Sequence, residues 1–332
     1  MGVALIEKIG IIGAGAMGSS IAEVFAYNGY SVYLKDQNLD YVKHGILHAR
    51  KVLDDFQAFV DSMPEREINR IEKNGIELTE KQKNTIKKNL GKKIDIDEII
   101  NRIHPVETYE ELAQCGLVIE AVFEKQEIKN DLFRELSKYF GEDTILASNT
   151  SSLSITEMAA SYKYPENNII IHFFNPPYTM PLVEIVPALQ TSDKTVESAY
   201  NLISGLRNHR EAMVPVKAKE RSGFIVNRIL IQLINEAIKI VEEGIADEKS
   251  VDIGMKKGAG FPMGPFELGD YVGLDIVYDV LKSFNRAYGD AYIPPDQFLR
   301  LVLSYNNMCE LPHAWALRFS VSKYINRISL RG

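Results

Sequence analysis

The sequence is poor in cysteine and has no long apolar run. Its only two cysteines, Cys115 and Cys309, lie far apart without paired spacing, so we expect neither a disulfide framework nor a cysteine-based metal site. This usage favours a reducing compartment, and we predict a cytoplasmic protein without a bound metal. No stretch of about 18 apolar residues occurs, so no membrane-spanning helix is expected.

An excess of positive charge is absent too. The formal net charge is −7 and no long basic block occurs, so nucleic acid is not an expected partner. The apolar N-terminal stretch lacks a basic leader and contains Glu7 and Lys8, which indicates a strand rather than a signal peptide. With 332 residues, of which 45% are hydrophobic, the chain can bury one large core or two medium ones, as a soluble globular protein does.

Residues 1–219 alternate between strand-type and helix-type patterns. A strand, a glycine turn, an apolar-periodic helix and a second strand form a βαβ unit that ends at Asp36. The later alternation predicts an α/β fold, a Rossmann-type doubly wound parallel sheet. Residues 39–103 are instead helical and charged. We predict a long helical pair projecting from the sheet, with helix breaks at MPE and LTEKQ and with Pro64 at a helix start.

Residues 220–332 show helical periodicity and no further strand pattern. Apolar residues recur at three and four positions after Arg221, and Gly244 closes the first helix, so we predict a separate all-α C-terminal domain. The boundary at residues 215–222 contains no long flexible linker. We therefore expect the two domains to pack closely and to leave a cleft between them.

A glycine turn directly follows the first strand. Gly13, Gly15 and Gly18 form the pattern G-x-G-x-x-G, which lets a pyrophosphate approach the backbone at the start of a helix. Asp36 ends the second strand about 20 residues further on, where a carboxylate accepts hydrogen bonds from ribose hydroxyls and repels a 2′-phosphate. The motif predicts NAD rather than NADP as cofactor. A turn that serves only packing is the alternative.

Polar residues end two later strands. ASNTSSLSI places Ser151 at the sheet edge where ligands bind in open α/β sheets, although the same residues could simply cap the next helix. IEAVFEKQEIK places Glu124 and Lys129 after another strand, where a solvated helix start is the alternative interpretation.

The segment IIIHFFNPPYTMPLVEIV contains a histidine and a carboxylate within apolar runs. A buried ionised carboxylate costs several kcal/mol unless it is paired, so we expect His172 and Glu184 to pair with each other. Such a pair suits proton transfer because histidine titrates near pH 6.5 and a carboxylate on its far nitrogen fixes the tautomer. A histidine of the core is the alternative.

Several motifs in order resemble the 3-hydroxyacyl-CoA dehydrogenases of fatty-acid β-oxidation. They are GAGAMGSSIA, VIEAVFE, SNTSSLSI, HFFNPP, LVEIV, SGFIVNRIL and GAGFPMGPFELGDYVGLD, and they run from about Lys8 to Leu303. The resemblance implies reversible, NAD-dependent oxidation of L-3-hydroxyacyl-CoA to 3-oxoacyl-CoA, in β-oxidation or short-chain acyl-CoA metabolism. It also implies that the helical domain binds substrate and forms a homodimer.

The resemblance further implies a role for each matching polar residue. His172 would be the catalytic base and Glu184 its partner, while Ser151 and Asn227 would hold the substrate. The residues implied around the cofactor are Asp36 at the ribose, Asn175 beside the nicotinamide, and Glu124 and Lys129. We assign no CoA-binding residues, because the lysines of segment 39–103 also suit a solubilising face.

The chain departs from the family pattern in three places. Ser222 stands where proline is usual, and MGSSIA has serines where a glycine is common; both changes leave the turn glycines intact. From about residue 304 the tail lacks the usual basic, glycine-rich ending and contains Trp315. True divergence and an altered reading frame are the alternatives, and either change bears on activity and stability more than on fold. Some relatives continue here into an enoyl-CoA hydratase domain, so a lost fused domain or a separate hydratase partner is a further expectation.

Two other functions remain open from the sequence. One is a dehydrogenase of a 3-hydroxy acid or sugar acid that carries no CoA. The other is a dinucleotide-binding family member with impaired catalysis, which would bind cofactor without turnover.

Overall fold

The computed structural model describes residues 6–91 and 93–295. The chain divides into two compact units, Met1–Glu220 and Arg221–Gly332. The predictions for the tail from about residue 304, with Cys309 and Trp315, lie outside the described residues.

An eight-stranded sheet forms the first unit, with the strand order β3-β2-β1-β4-β5-β6-β7-β8. Its strands are β1 (Lys8–Ile12), β2 (Ser31–Lys35), β3 (Ile103–Val106), β4 (Leu117–Glu120), β5 (Ile145–Ser148), β6 (Asn168–Phe173), β7 (Leu182–Pro187) and β8 (Val214–Lys217). Neighbouring strands are parallel except β6 and β7. The order confirms the Rossmann-type sheet. The antiparallel β7 departs from an all-parallel sheet, because only a loop, and no crossover helix, joins it to β6.

Burial on both faces explains why the central strands are apolar throughout. Ile9, Ile11, Leu117 and Ile119 on β1 and β4 are fully buried, as parallel strands covered by helices require. The edge strand β3 was not predicted from the sequence. It contains Pro105, which lacks an N–H group and is tolerated at a sheet edge, and its short length gives a weak pattern.

Seven helices accompany the described part of the first unit. They are α1 (Ala16–Tyr27), α2 (Leu39–Lys73), α3 (Glu80–Leu90), α4 (Ile96–Asn101), α5 (Gln126–Leu136), α6 (Ile155–Ala160) and α7 (Asp193–Ser204). Thr79 begins α3 with a capping box to Gln82, which agrees with the predicted break at LTEKQ.

The predicted helical pair is present as α2 and α3, but the helix break predicted at MPE is wrong. Pro64 lies inside α2, a single helix of 35 residues. Val60, Pro64 and Ile68 are buried along one face of α2, so packing offsets the backbone hydrogen bond that proline removes. An ion pair of 3.0 Å between Lys87 of α3 and Glu65 of α2 also links the two helices.

The second unit is helical throughout residues 221–295, and no strand occurs in that range. Its helices are α8 (Val226–Glu242), α9 (Glu248–Gly258), α10 (Pro265–Val272) and α11 (Leu274–Tyr288). Ile234, Ile238, Val277, Leu281 and Phe284 pack into its core. Within the described residues of both units, no helix is long and apolar enough to cross a membrane.

Candidate active site

His172 and Glu184 form a buried pair on adjacent strands. They are direct partners in the antiparallel register of β6 and β7, so their side chains project from the same face of the sheet. Nδ1 of His172 lies 2.8 Å from Oε2 of Glu184. Both residues are buried, as expected for groups that offset each other's desolvation. The pairing inferred from the sequence is thus present, and Nδ1 is the ring nitrogen that makes it.

The glycine turn is built by close backbone contacts. A Cβ atom on Gly18 would lie 1.8 Å from the carbonyl oxygen of Gly13, so only glycine lets α1 begin this close to β1. Gly13 itself has a φ of 106°, in the left-handed region that glycine favours. A Cβ atom on Gly15 would meet nothing within 4 Å. Gly15 therefore leaves open space above the start of α1, which fits the approach of a pyrophosphate.

Asp36 immediately follows β2 and contacts this turn. Its Oδ2 accepts a hydrogen bond of 2.6 Å from the backbone N–H of Ala14, and its Oδ1 accepts one from Gln37. The half-buried carboxylate thus lies next to the glycine turn. The Lys35 ammonium lies 4.5 Å from the centre of the Tyr109 ring and donates to the backbone oxygen of Asp36 at 3.1 Å, and within the described part of the chain no hydrogen bond or ion pair joins it to the Asp36 carboxylate. This arrangement suits a ribose with a free 2′-hydroxyl.

Glu124 and Lys129 meet in a cluster that the sequence only partly indicated. Nζ of Lys129 lies 3.1 Å from Oε2 of Glu124 and 2.8 Å from Oε1 of Glu120. Ser148 donates a hydrogen bond of 2.7 Å to Glu120. Sequence reasoning missed Glu120 and Ser148. An acidic residue within an apolar strand pattern was the available signal, as it was for Glu184.

Ser151 belongs to the loop between β5 and α6. It is half-buried, and its backbone N–H donates to Oε1 of Glu124 at 3.3 Å. Nearby, Oδ1 of Asn149 accepts a hydrogen bond of 2.8 Å from the N–H of Phe173, next to His172. Asn149, which the sequence did not single out, thus ties the end of β6 to the end of β5.

Asn175 and Asn227 lie in different surroundings. Asn175 is exposed, two residues after β6, and its peptide bond to Pro176 is cis. Asn227 is half-buried in the first turn of α8, in the second unit. The first unit thus gathers most predicted site residues at the edge where β1, β2, β4, β5 and β6 end. The described residues contain no group of three or more histidine, cysteine, aspartate or glutamate side chains able to hold a metal ion.

Comparisons with known proteins agree on one family. The family model "3-hydroxyacyl-CoA dehydrogenase, NAD binding domain" matches residues 8–220, and "3-hydroxyacyl-CoA dehydrogenase, C-terminal domain" matches residues 223–310. The chain is similar to 3-hydroxybutyryl-CoA dehydrogenase of Clostridioides difficile, with 36% identity over 91% of this chain and 95% of that protein. It is also similar to human mitochondrial hydroxyacyl-coenzyme A dehydrogenase, with 38% identity over 85% of this chain and 81% of that protein.

A solved structure of a similar protein also matches this chain in fold. The (S)-3-hydroxybutyryl-CoA dehydrogenase of Ralstonia eutropha matches with a TM-score of 0.75 and 33% identity. The match covers 90% of this chain and 94% of that chain.

Proposed function

Because the chain belongs to the 3-hydroxyacyl-CoA dehydrogenase family, we propose that His172 and Glu184 are the acid–base pair of its reaction. The chain is an NAD-dependent oxidoreductase of fatty-acid metabolism that interconverts 3-hydroxyacyl-CoA and 3-oxoacyl-CoA. The observation that carries the proposal is the buried contact of 2.8 Å between the two side chains.

In the oxidation, Nε2 of His172 takes the proton of the substrate hydroxyl. When bound, the nicotinamide cofactor would supply the acceptor for the hydride that leaves the carbon bearing this hydroxyl. Glu184 keeps the proton of neutral His172 on Nδ1 and stabilises the imidazolium that forms. In the reduction, protonated His172 returns the proton to the developing alkoxide. From the family resemblance we further propose that Ser151 and Asn227 help to hold the substrate, and that the Ser151 hydroxyl or the Asn227 amide binds its oxygen.

The cofactor residues follow from the turn and the adjacent strand ends. We propose that Gly13, Gly15 and Gly18 receive the pyrophosphate and that Asp36 binds the adenosine ribose. The open space at Gly15 and the carboxylate next to it support this assignment. We propose that Glu124 and Lys129 lie around the cofactor and that Asn175 lies beside the nicotinamide. Glu124 and Asn175 follow the ends of β4 and β6, and Lys129 of α5 contacts Glu124 at 3.1 Å.

We also propose a homodimer that forms through the second unit, taken as a domain from about residue 220. Large apolar side chains there are exposed, among them Ile229, Ile245 and Tyr271 at 66%, 68% and 61%. Burial of such side chains is the usual driving force of association. A hydratase partner that supplies 3-hydroxyacyl-CoA stays a proposal, and so does a cytoplasmic location, with which the free thiol of Cys115 is compatible.

The deciding experiment is a turnover assay with purified protein. We expect rapid loss of NADH absorbance with acetoacetyl-CoA, a thioester chosen because relatives are named 3-hydroxybutyryl-CoA dehydrogenases. Free acetoacetate and NADPH serve as comparisons and should react far more slowly. Equal rates with free acetoacetate would favour an acid without CoA. Cofactor binding without any turnover would favour a catalytically impaired protein.

A further inference from the structure

Two carboxylates share one ammonium group beneath the proposed cofactor site. The side chains of Glu120 and Lys129 are 0% and 1% exposed, whereas that of Glu124 is 42% exposed. The ammonium of Lys129 lies 2.8 and 3.0 Å from the two oxygens of Glu120 and 3.1 Å from Oε2 of Glu124. Oγ of Ser148 lies 3.5 Å away. The three N–H donors of Lys129 are therefore surrounded by acceptors of the protein itself.

Glu120 is the best anchored member of this cluster. Besides Lys129, it accepts hydrogen bonds from the Ser148 hydroxyl at 2.7 Å and from the backbone N–H of Val122 at 2.6 Å. Loss of one member of a buried charged pair is costly because the other is left uncompensated. Glu120 thus fixes where Lys129 can place its charge.

Glu124 joins this anchored pair to the loop that carries Ser151. Its Oε2 contacts Lys129, while its Oε1 accepts hydrogen bonds from the Thr150 hydroxyl, the backbone N–H of Ser151 and the hydroxyl of Ser152. A single carboxylate thereby holds both the start of α5 and the loop after β5. A ligand that orders Glu124 will also order the loop after β5, and a ligand that orders this loop will also order Glu124.

We infer that Glu120 and Lys129 are positioning residues, which fix Glu124 so that the binding of NAD and the binding of the acyl thioester assist each other. In this arrangement Lys129 acts on the cofactor through Glu124. The inference rests on the proposed roles of Glu124 and Ser151. It goes beyond them by assigning a function to the fully buried Glu120.

The test measures binding in a complex that cannot react. NAD and acetoacetyl-CoA are both oxidised, so the dissociation constant of NAD can be measured calorimetrically with and without the thioester. We expect the thioester to tighten NAD binding by about threefold or more in the natural protein. In Glu120→Gln, which keeps the shape but loses the charge, this factor should fall towards one, and NAD alone should bind about fivefold more weakly.

Glu23→Gln is a matched control. Glu23 is also fully buried and is paired with a histidine, since its Oε1 lies 2.8 Å from Nε2 of His209. It does not belong to the cluster of Glu120, Glu124 and Lys129. This substitution should change thermal stability and leave the tightening factor as in the natural protein. Should Glu120→Gln fold poorly, Ser148→Ala removes one of the hydrogen bonds to Glu120 and should reduce the factor less strongly.

A tightening factor that is unchanged in a folded Glu120→Gln protein would overturn the inference and leave Glu120 a purely structural residue. An equal reduction of the factor in Glu23→Gln would overturn it as well. Because binding is measured without turnover, a failure of the proposed catalytic pair would not affect this result. A failure of the coupling would likewise leave the turnover assay intact.

Discussion

His172 and Glu184 face each other directly across two antiparallel strands, with Nδ1 of the histidine 2.8 Å from Oε2 of the glutamate. The sheet register places the two side chains next to each other, and the contact with Glu184 orients the imidazole. An imidazole oriented in this way needs little reorganisation when it takes a proton.

Removal of either member of this pair should lower turnover while cofactor binding persists. We expect His172→Gln to lower kcat by about a hundredfold to ten-thousandfold and Glu184→Gln by at least tenfold, because general-base catalysis contributes on this scale. Stopped-flow assays of NADH oxidation measure turnover, and NADH titrations measure cofactor binding. His209→Gln is the control, since His209 and Glu23 form a second buried pair, also at 2.8 Å. It should lose stability and keep its kcat. Full activity of His172→Gln would refute the assignment.

Asp36 should determine the choice between NADH and NADPH. Asp36→Ser removes the negative charge that repels a 2′-phosphate, so the preference for NADH, measured as the ratio of kcat/KM values, should narrow by about tenfold. Asp36→Asn keeps an acceptor for the N–H of Ala14 but removes the charge. It therefore separates the effect of the lost charge from the effect of a lost hydrogen bond. An unaltered ratio in both variants would show that Asp36 does not contact the ribose.

Two alanine substitutions in the glycine turn should separate a loss of stability from a loss of cofactor binding. In Gly18→Ala the new Cβ would lie 1.8 Å from a backbone oxygen, and the clash outweighs the gain of about 1 kcal/mol in helix propensity, so the free energy of unfolding should fall. In Gly15→Ala the Cβ meets open space, so stability should hold while NADH binding weakens by about tenfold. Urea unfolding and NADH titration give both values. Normal NADH binding by Gly15→Ala would place the pyrophosphate elsewhere.

Asn149 should position His172 through the backbone. Asn149→Ala deprives the N–H of Phe173 of its acceptor, and we expect kcat to fall about tenfold with NADH affinity unchanged. Asn149→Asp keeps an acceptor oxygen and should recover part of the loss. Asn168 provides the control, because it joins the same two strands, β5 and β6, at their other end. Its Nδ2 donates a hydrogen bond to the backbone oxygen of Leu146. Asn168→Ala should lower stability without a change in kcat; equal losses of kcat in both variants would contradict a specific role.

Cys115 should resist alkylation in the folded protein. Burial raises the pKa of this thiol from an ordinary value of 9.0 to about 12, so the thiolate is scarce even at pH 9. The unfolded chain loses this proton near pH 9 and the folded chain only near pH 12. The contribution of Cys115 to stability is therefore full below pH 9 and declines as the pH rises towards 12. Thiol labelling of a Cys309→Ser protein should be slow until denaturant is added. Rapid labelling at pH 8 would show that Cys115 is accessible.

The parts of the fold that were predictable are those with strong local patterns. β1, α1 and β2 combine buried apolar runs with the glycine turn, and they lie where the sequence placed them. The break predicted at Pro64 was wrong because the proline ring packs within α2, and burial is not visible in local sequence. The edge strand β3 was missed because four residues that include a proline give no periodic signal.

In the site, too, a strong local pattern made some residues predictable, while residues brought together by tertiary packing were missed. His172 and Glu184 were found together because a carboxylate within an apolar run requires a partner, and the pairing is confirmed by their contact. Glu120 also lies in an apolar run, but its partner Lys129 comes from a helix surface that looked solvated. A contact between a strand end and a helix depends on tertiary packing, which the order of residues does not reveal.

The proposed acid–base pair, His172 and Glu184, lies within one hairpin, with its members only 12 residues apart. A residue gained or lost inside β6 or β7 would turn one side chain to the opposite face of the sheet and abolish the contact. The loop beyond Asn175 also helps to set the register of a hairpin, so a change in its length is tolerated only where the pairing of the two buried strands is kept. This strand pairing is therefore what any variant of the hairpin must preserve in order to keep the contact.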